Sequence, residues 1–342
     1  MPDPHVAAIS DDLFASALTV YVCAMFAFAA SFAFGRRVPM AGSAAPVSQR
    51  QPVLVGAGGM PADTAGPEPT AHPAQASPGE PGRARGARFG RIAIALSLLG
   101  VALHVGEVVT RGIADGFGNG RVPWGNMYEF SSMVGLIAVV GFLVLQWRQP
   151  RTRDLGVFVM LPVALYLGLA GTVLYVKAGP LVPALHSYWL KIHVVAAMTA
   201  TGTLFVGGVV SCLHLIRRRY DRRSAAGAPE PRFPIAHRLP TAAALDRAEY
   251  RVLAFAFPVW TFAIIAGAIW AESAWGRYWG WDPKETWSFI TWVIYAAYLH
   301  ARSTRAFRGA APAIALLGFA ALMINYYVIN IFINGLHSYA GV

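Results

Sequence analysis

Eight long, mostly apolar stretches constrain this chain more than any other feature. They lie at 13–34, 91–110, 127–147, 155–176, 189–215, 252–272, 287–301 and 312–334. A helix needs roughly 20 predominantly apolar residues to cross a hydrocarbon layer about 30 Å thick. A backbone inside lipid must also satisfy its own polar groups, which a helix does within one segment. These stretches predict an all-α polytopic membrane bundle with about eight transmembrane helices and no large soluble domain. The seventh, "WSFITWVIYAAYLHAR", is the shortest, and its ends are the least sharply marked. Composition agrees: 56% of the residues are hydrophobic and 13% charged, where a soluble domain carries about a quarter charged residues.

The formal net charge of +11 sorts by position. Eight spans create alternating connections, and 22 of the 28 Lys and Arg fall on one side of them. The other side receives only Arg111, Arg121, Lys177, Lys191, Arg277 and Lys284. Cationic loops remain in the cytoplasm, so this asymmetry predicts both termini and the Trp-rich loop outside, in a bacterial cytoplasmic membrane. The charge is a topology signal and argues against nucleic-acid binding. "MPDPHVAAISDD" lacks the basic start of a secretory signal, so the first span is expected to be retained.

Three regions follow: residues 1–35 as a first transmembrane helix, 36–90 as a disordered cytoplasmic linker, and 91–342 as the main bundle. The linker is rich in Ala, Gly and Pro ("MPADTAGPEPTAHPAQASPGEPG") and cannot bury enough apolar surface to offset its ordering entropy. A second basic loop, about 217–250, contains "LDRAEYR", read as a short surface helix. Cys23 and Cys212 lie on different spans without a CxxC pairing, which excludes dithiol exchange within this chain. Both are expected to be buried, inert thiols.

One segment concentrates what the rest lacks. "WGRYWGWDPKETW" at 275–287 lies within an outer loop region, 270–287, and six of the ten tryptophans fall between Trp270 and Trp292. Asp282, Pro283 and Glu285 have the spacing of an N-cap, a first-turn proline and a capping-box partner. The indoles fit either of two roles, an interfacial belt or a π-rich wall for a planar apolar ligand.

Histidines inside apolar spans are rare and mark functional positions. Of nine, His5, His72 and His237 lie in polar segments, and His214 sits at the basic end of a span, where an interface role is expected. His104, His186, His193, His300 and His337 remain. His193 and His337 fall near the same end of the bundle as the tryptophans, and two imidazoles beside an aromatic wall suit bis-histidine ligation of haem iron. Interfacial hydrogen bonding is the alternative for each. His186 is seven residues from His193 and shares its helical face. His300 lies at the opposite end, beside Arg302, as an inner ligand or an interfacial residue.

"WGRYWGWDPKETWS" resembles the WWD motif of haem-handling proteins. Together with "PWGNMYEF", "LVPALHSYWLKIHV", "YLHAR" and "INGLHSYAG", it makes the chain from about 90 onward similar to the CcsA/ResC branch (CcsB in some bacteria) of cytochrome c biogenesis system II. The resemblance implies binding of haem b at the outer face and its presentation or ligation to the CxxCH cysteines of apocytochrome c. That work would be part of a cytochrome c synthase acting with a partner subunit. It implies His193 and His337 as outer axial ligands and His300 as a membrane-embedded ligand. His186 ranks below them, and His104, without an assignment, either pairs with His300 or bonds to a neighbouring carbonyl. Trp275, Trp279, Trp281, Asp282 and, as partners for the propionates, Arg277 and Lys284 complete the expected site. A CcsB/ResB-type membrane partner, apocytochrome c, membrane lipid and, indirectly, thioredoxin-like reductants are the implied partners. A haem transporter or binding module without bond formation, or an unrelated secondary transporter gated by the Trp loop, are the competing readings.

Overall fold

The computed structural model describes residues 4–35, 80–115, 122–177, 187–229 and 235–337. The described chain is helical throughout and contains no strand. Its helices are α1 (Pro4–Gly35), α2 (Glu80–Asp115), α3 (Met127–Arg148), α4 (Gly156–Thr172), α5 (Tyr188–Ala225), α6 (Ile235–Arg238), α7 (Ala242–Trp275), α8 (Pro283–Ser303), α9 (Ala311–Met323) and α10 (Ile329–Phe332). A 3-10 turn, Pro150–Leu155, leads into α4, and a π turn, Ile324–Val328, joins α9 to α10. Residues 36–79, most of the expected linker, lie outside the described residues, and α2 begins at Glu80, inside the stretch read as linker.

Among the described residues, seven helices are long and apolar enough to cross a membrane. The remaining stretch, the seventh in sequence order, is also fully helical. As α8 it has 21 residues, about 31 Å at 1.5 Å per residue. Lys284, Glu285, Thr286, Ser288, Thr291, His300 and Arg302 keep it below the apolar level of the others.

The helices assemble around α5, whose apolar stretch is the most buried of the seven. On one side, Phe205, Val206 and Val210 of α5 join a core built from α1, α3 and α4. On the other, Ala200 and Leu204 pack with Leu253, Trp260, Tyr295 and Leu322 from α7, α8 and α9. Lipid tails are as apolar as leucine, so helices associate in membranes through close packing of small residues. Gly208 of α5 shows this: a methyl group there would meet the Phe319 ring at 2.6 Å.

Several local expectations are revised. "LDRAEYR" is the first part of α7, not a separate surface helix. Its Glu249 is buried and holds His214 Nδ1 at 2.5 Å, so His214 is an interior residue. Asp246 pairs with Arg302 across to α8. Cys23 and Cys212 are exposed on the outside of the bundle. An apolar exterior is where a membrane helix meets lipid, so hydropathy does not separate outward-facing from inward-facing positions.

Candidate functional site

A cleft of about 340 Å³ opens between the N-terminal end of α3, α5, α7, the Trp-rich loop, α8 and the final span. That volume lies in the range of small-molecule sites, roughly 300–1,000 Å³. Its α7 wall runs from Trp260 to Trp275, about 22 Å at the helical rise. Apolar and aromatic side chains dominate it, with a few convergent polar groups.

Two imidazoles face this cleft from distant parts of the chain. His193, in the second turn of α5, bonds through Nδ1 to the Ala263 carbonyl at 2.8 Å. A carbonyl only accepts, so Nδ1 carries the proton and Nε2 the lone pair. Gly267, one turn beyond Ala263, makes room for the ring, since a Cβ there would lie 2.7 Å from Nδ1. The imidazole lies parallel to the Trp270 indole, 9° between planes, with centroids 6.1 Å apart.

His337 reaches the same place from beyond the last span. Its Nδ1 donates to Asp282 Oδ2 at 2.8 Å, which fixes the same tautomer, and its ring meets Trp275 and Trp270 edge-on at 5.0 and 5.8 Å. Burial pushes its pKa below the ordinary histidine value despite the neighbouring carboxylate, so the ring is neutral at pH 7.

Asp282 has two duties. It is the N-cap of α8, and with Glu285, whose carboxylate accepts from the Asp282 N–H at 3.0 Å, it forms a capping box. Its carboxylate also accepts from Leu336 N–H at 2.8 Å and from His337. Burial alone would raise its pKa, but these donors outweigh that and hold it at about 2. The helix cap expected from "DPKE" is thus also the support of a pocket histidine.

The other expected residues divide. Trp275, Trp279 and Lys284 line the cleft. The Lys284 ammonium is bonded to Asn330 Oδ1, also a lining residue. Trp281 and Arg277 do not line it. Trp281 is largely exposed, packs edge-on against Trp279 and Phe289, and is the one non-glycine described residue at positive φ, 58°. A bulky residue rarely occupies that region and is held there only by its surroundings. His300 sits exposed at the far end of α8, away from the cleft. His186 lies outside the described residues. His104 pairs with neither His300 nor a carbonyl: it is fully buried, with Nδ1 against Tyr21 Oη at 3.3 Å and Nε2 against Ser132 Oγ at 2.8 Å.

Several other wall residues lie in the tryptophan cluster or the quoted motifs without having been singled out as site residues. Trp270 is central, touching both imidazoles. Trp124 and Phe130 come from "PWGNMYEF", whose Asn126 caps α3 by accepting from Glu129 N–H at 2.8 Å. Glu129 in turn accepts from Gly125 N–H at 2.8 Å and from Arg111 Nε at 3.2 Å. The π turn adds Asn325 and Tyr326 to the wall, and Tyr326 Oη donates to the Met127 carbonyl at 2.9 Å. Single π turns inside helices recur at functional sites.

A protein-family model described as cytochrome c assembly protein matches residues 124–337, which contain every cleft residue except Val122. The chain belongs to that family. Its function is in cytochrome c biogenesis. Relatives in this assembly family include the cytochrome c biogenesis protein CcsA of Guillardia theta, 37% identical over 235 residues, covering 65% of this chain and 77% of the relative. CcsA of Porphyra purpurea is 36% identical over 259 residues, covering 65% and 80%. CcsA of a Synechococcus species is 34% identical over 311 residues, covering 74% and 88%. As expected for an assembly protein of this kind, the chain is a multi-pass membrane protein.

Proposed function

We propose that the cleft binds haem b at the outer face of a bacterial cytoplasmic membrane, with His193 and His337 as axial ligands, and presents it to apocytochrome c. One observation carries this reading: two histidines far apart in sequence line the same aromatic cleft, each with Nδ1 committed to an acceptor. That tautomer leaves the lone pair on Nε2, the usual preparation of a metal-binding imidazole. The donor set and the flat indole walls fit a porphyrin, and the cleft carries Lys284 as a cationic group.

Haem, as substrate, supplies the vinyl groups to which the CxxCH thiols add. The chain's own contribution is placement. His193 is held by the Ala263 carbonyl and His337 by Asp282, so neither ring has to reorganise. Trp270 and Trp275 restrict a planar ligand to few orientations and exclude water. Rate enhancement in this scheme comes from proximity and orientation. Lys284 offsets propionate charge, whereas Arg277 acts from outside the cleft. His300 belongs to a separate inner site. The attachment itself proceeds in a complex with a CcsB/ResB-type membrane partner, with thioredoxin-like reductants keeping the cysteines reduced. The excess of Arg on the opposite loops supports the orientation, with the termini and the Trp loop outside.

The test is the absorbance spectrum of purified wild type beside His193→Ala, His337→Ala, His300→Ala and His186→Ala. The first two variants are expected to lose the six-coordinate signature, and the last two to retain it in the outer pocket. Wild-type spectra from both His193→Ala and His337→Ala would overturn the ligand assignment. Reconstitution with apocytochrome and the partner, read as thioether-linked haem, separates presentation from simple binding.

A further inference from the structure

The arginine run that ends α5 divides by what each side chain touches. Arg217 donates through Nε to Asp221 at 2.8 Å and through Nη1 to the Leu239 carbonyl at 2.7 Å. Arg218 donates to the Gly309 carbonyl at 2.7 Å. These two fasten loops at the basic end of the bundle. Arg219 and Arg223, one turn apart, have no hydrogen-bond or ion-pair partner among the described residues. Both line a second cavity, about 630 Å³, bounded by α4, α5 and the segment around α6.

The walls of this cavity are graded along the helix axis. Phe158 and Pro162 of α4 face Cys212 and Ile216 of α5, and the two arginines follow on the same α5 face. Cys212 and Ile216 are exposed on the bundle exterior. The step from Cys212 to Arg219 is about 10 Å at the helical rise. Among the described residues, no carboxylate lines the cavity. An apolar trough that turns doubly cationic where the span leaves the hydrocarbon layer matches an amphiphile with one long chain and an anionic head. Basic pockets between membrane helices hold anionic lipid headgroups in this way.

We propose that this cavity binds one anionic phospholipid, its acyl chain against Phe158, Pro162, Cys212 and Ile216 and its phosphate on Arg219 and Arg223. A zwitterionic lipid would bring its own cation against two guanidiniums and be disfavoured by roughly tenfold. The site is distinct from the histidine cleft and shares no lining residue with it.

Cys212 supplies the probe. The full-length protein with Cys23→Ser is labelled at Cys212 with bimane in detergent and titrated with phospholipids carrying brominated acyl chains, which quench on contact. Brominated phosphatidylglycerol is expected to quench at roughly tenfold lower mole fraction than brominated phosphatidylcholine. In Arg219→Gln/Arg223→Gln the two curves should merge, while Arg219→Lys/Arg223→Lys and Arg218→Gln keep the preference. Native mass spectrometry of unlabelled protein should retain one phosphatidylglycerol in wild type and none in the double Gln variant. Equal quenching by the two lipids in the labelled parent overturns the proposal. So does a preference that survives the double Gln change, or haem occupying the site and resisting displacement by phosphatidylglycerol.

Discussion

His337 Nδ1 donates to Asp282 Oδ2 at 2.8 Å across 55 positions of sequence. The same aspartate starts α8, so the carboxylate that begins a helix also orients a pocket imidazole. Asp282→Ala is therefore expected to lose both functions: about 1 kcal/mol of stability from the missing cap, and the outer-pocket haem spectrum. Asp282→Asn keeps a capping oxygen and should lose less stability while still changing the spectrum. A melting curve and an absorbance scan on each variant check this.

The pH dependence has a definite sign. Asp282 is held at about 2 in the folded chain, below the ordinary aspartate value of about 3.9. Its contribution is present above that ordinary value and lost as pH falls through about 2. His337, whose pKa desolvation lowers in the folded chain, acts in the same direction, because the unfolded chain takes up its proton first on acidification. The melting-temperature gap between wild type and Asp282→Asn should therefore close as pH drops from about 4 to about 2. A gap that widens on acidification contradicts the assignment.

Gly267→Ala should mimic loss of His193 without removing it. The new methyl would stand 2.7 Å from His193 Nδ1 and displace the ring from the Ala263 carbonyl. Loss of the six-coordinate spectrum with an intact helical circular-dichroism signal is the expected result. An unchanged spectrum would mean that the ring's position is unimportant.

Arg111 and Glu129 are both buried and 3.2 Å apart, and Glu129 also ties down Gly125 beside Trp124. Removing one member of a buried ion pair typically costs about 3–5 kcal/mol, and Asp11, 3.8 Å from the Arg111 guanidinium, offsets part of that here. Glu129→Ala should lower the melting temperature sharply and loosen the Trp124 wall, seen as faster proteolysis between α2 and α3. A change no larger than that of an exposed residue such as Arg305→Ala would refute this.

Within the Trp-rich loop, position should outrank residue type. Trp275 and Trp279 line the cleft and Trp281 does not. Trp275→Ala is expected to reduce haem retention several-fold, and Trp281→Ala far less. Equal losses would show that the loop acts as a belt and not as a wall.

The sequence by itself determined the helices, because runs of apolar residues at bilayer length leave the backbone no other satisfied state. It also determined the start of α8, since Asp282, Pro283 and Glu285 act on backbone groups within three residues. Spacing placed His193 and His337 near one end of the bundle without bringing them together. Only the tertiary structure decided which side chains share the cleft: Trp270, Trp124 and Tyr326 enter it, while Trp281 and Arg277 stay outside. It also turned His214 inward to Glu249 and left Cys212 outward on a cavity wall. The physical reason is common to all of these. In a membrane bundle both the lipid-facing and the core-facing sides of a helix are apolar, so hydropathy fixes depth but not direction. Direction is set by the close packing of small residues and by partners tens of residues away.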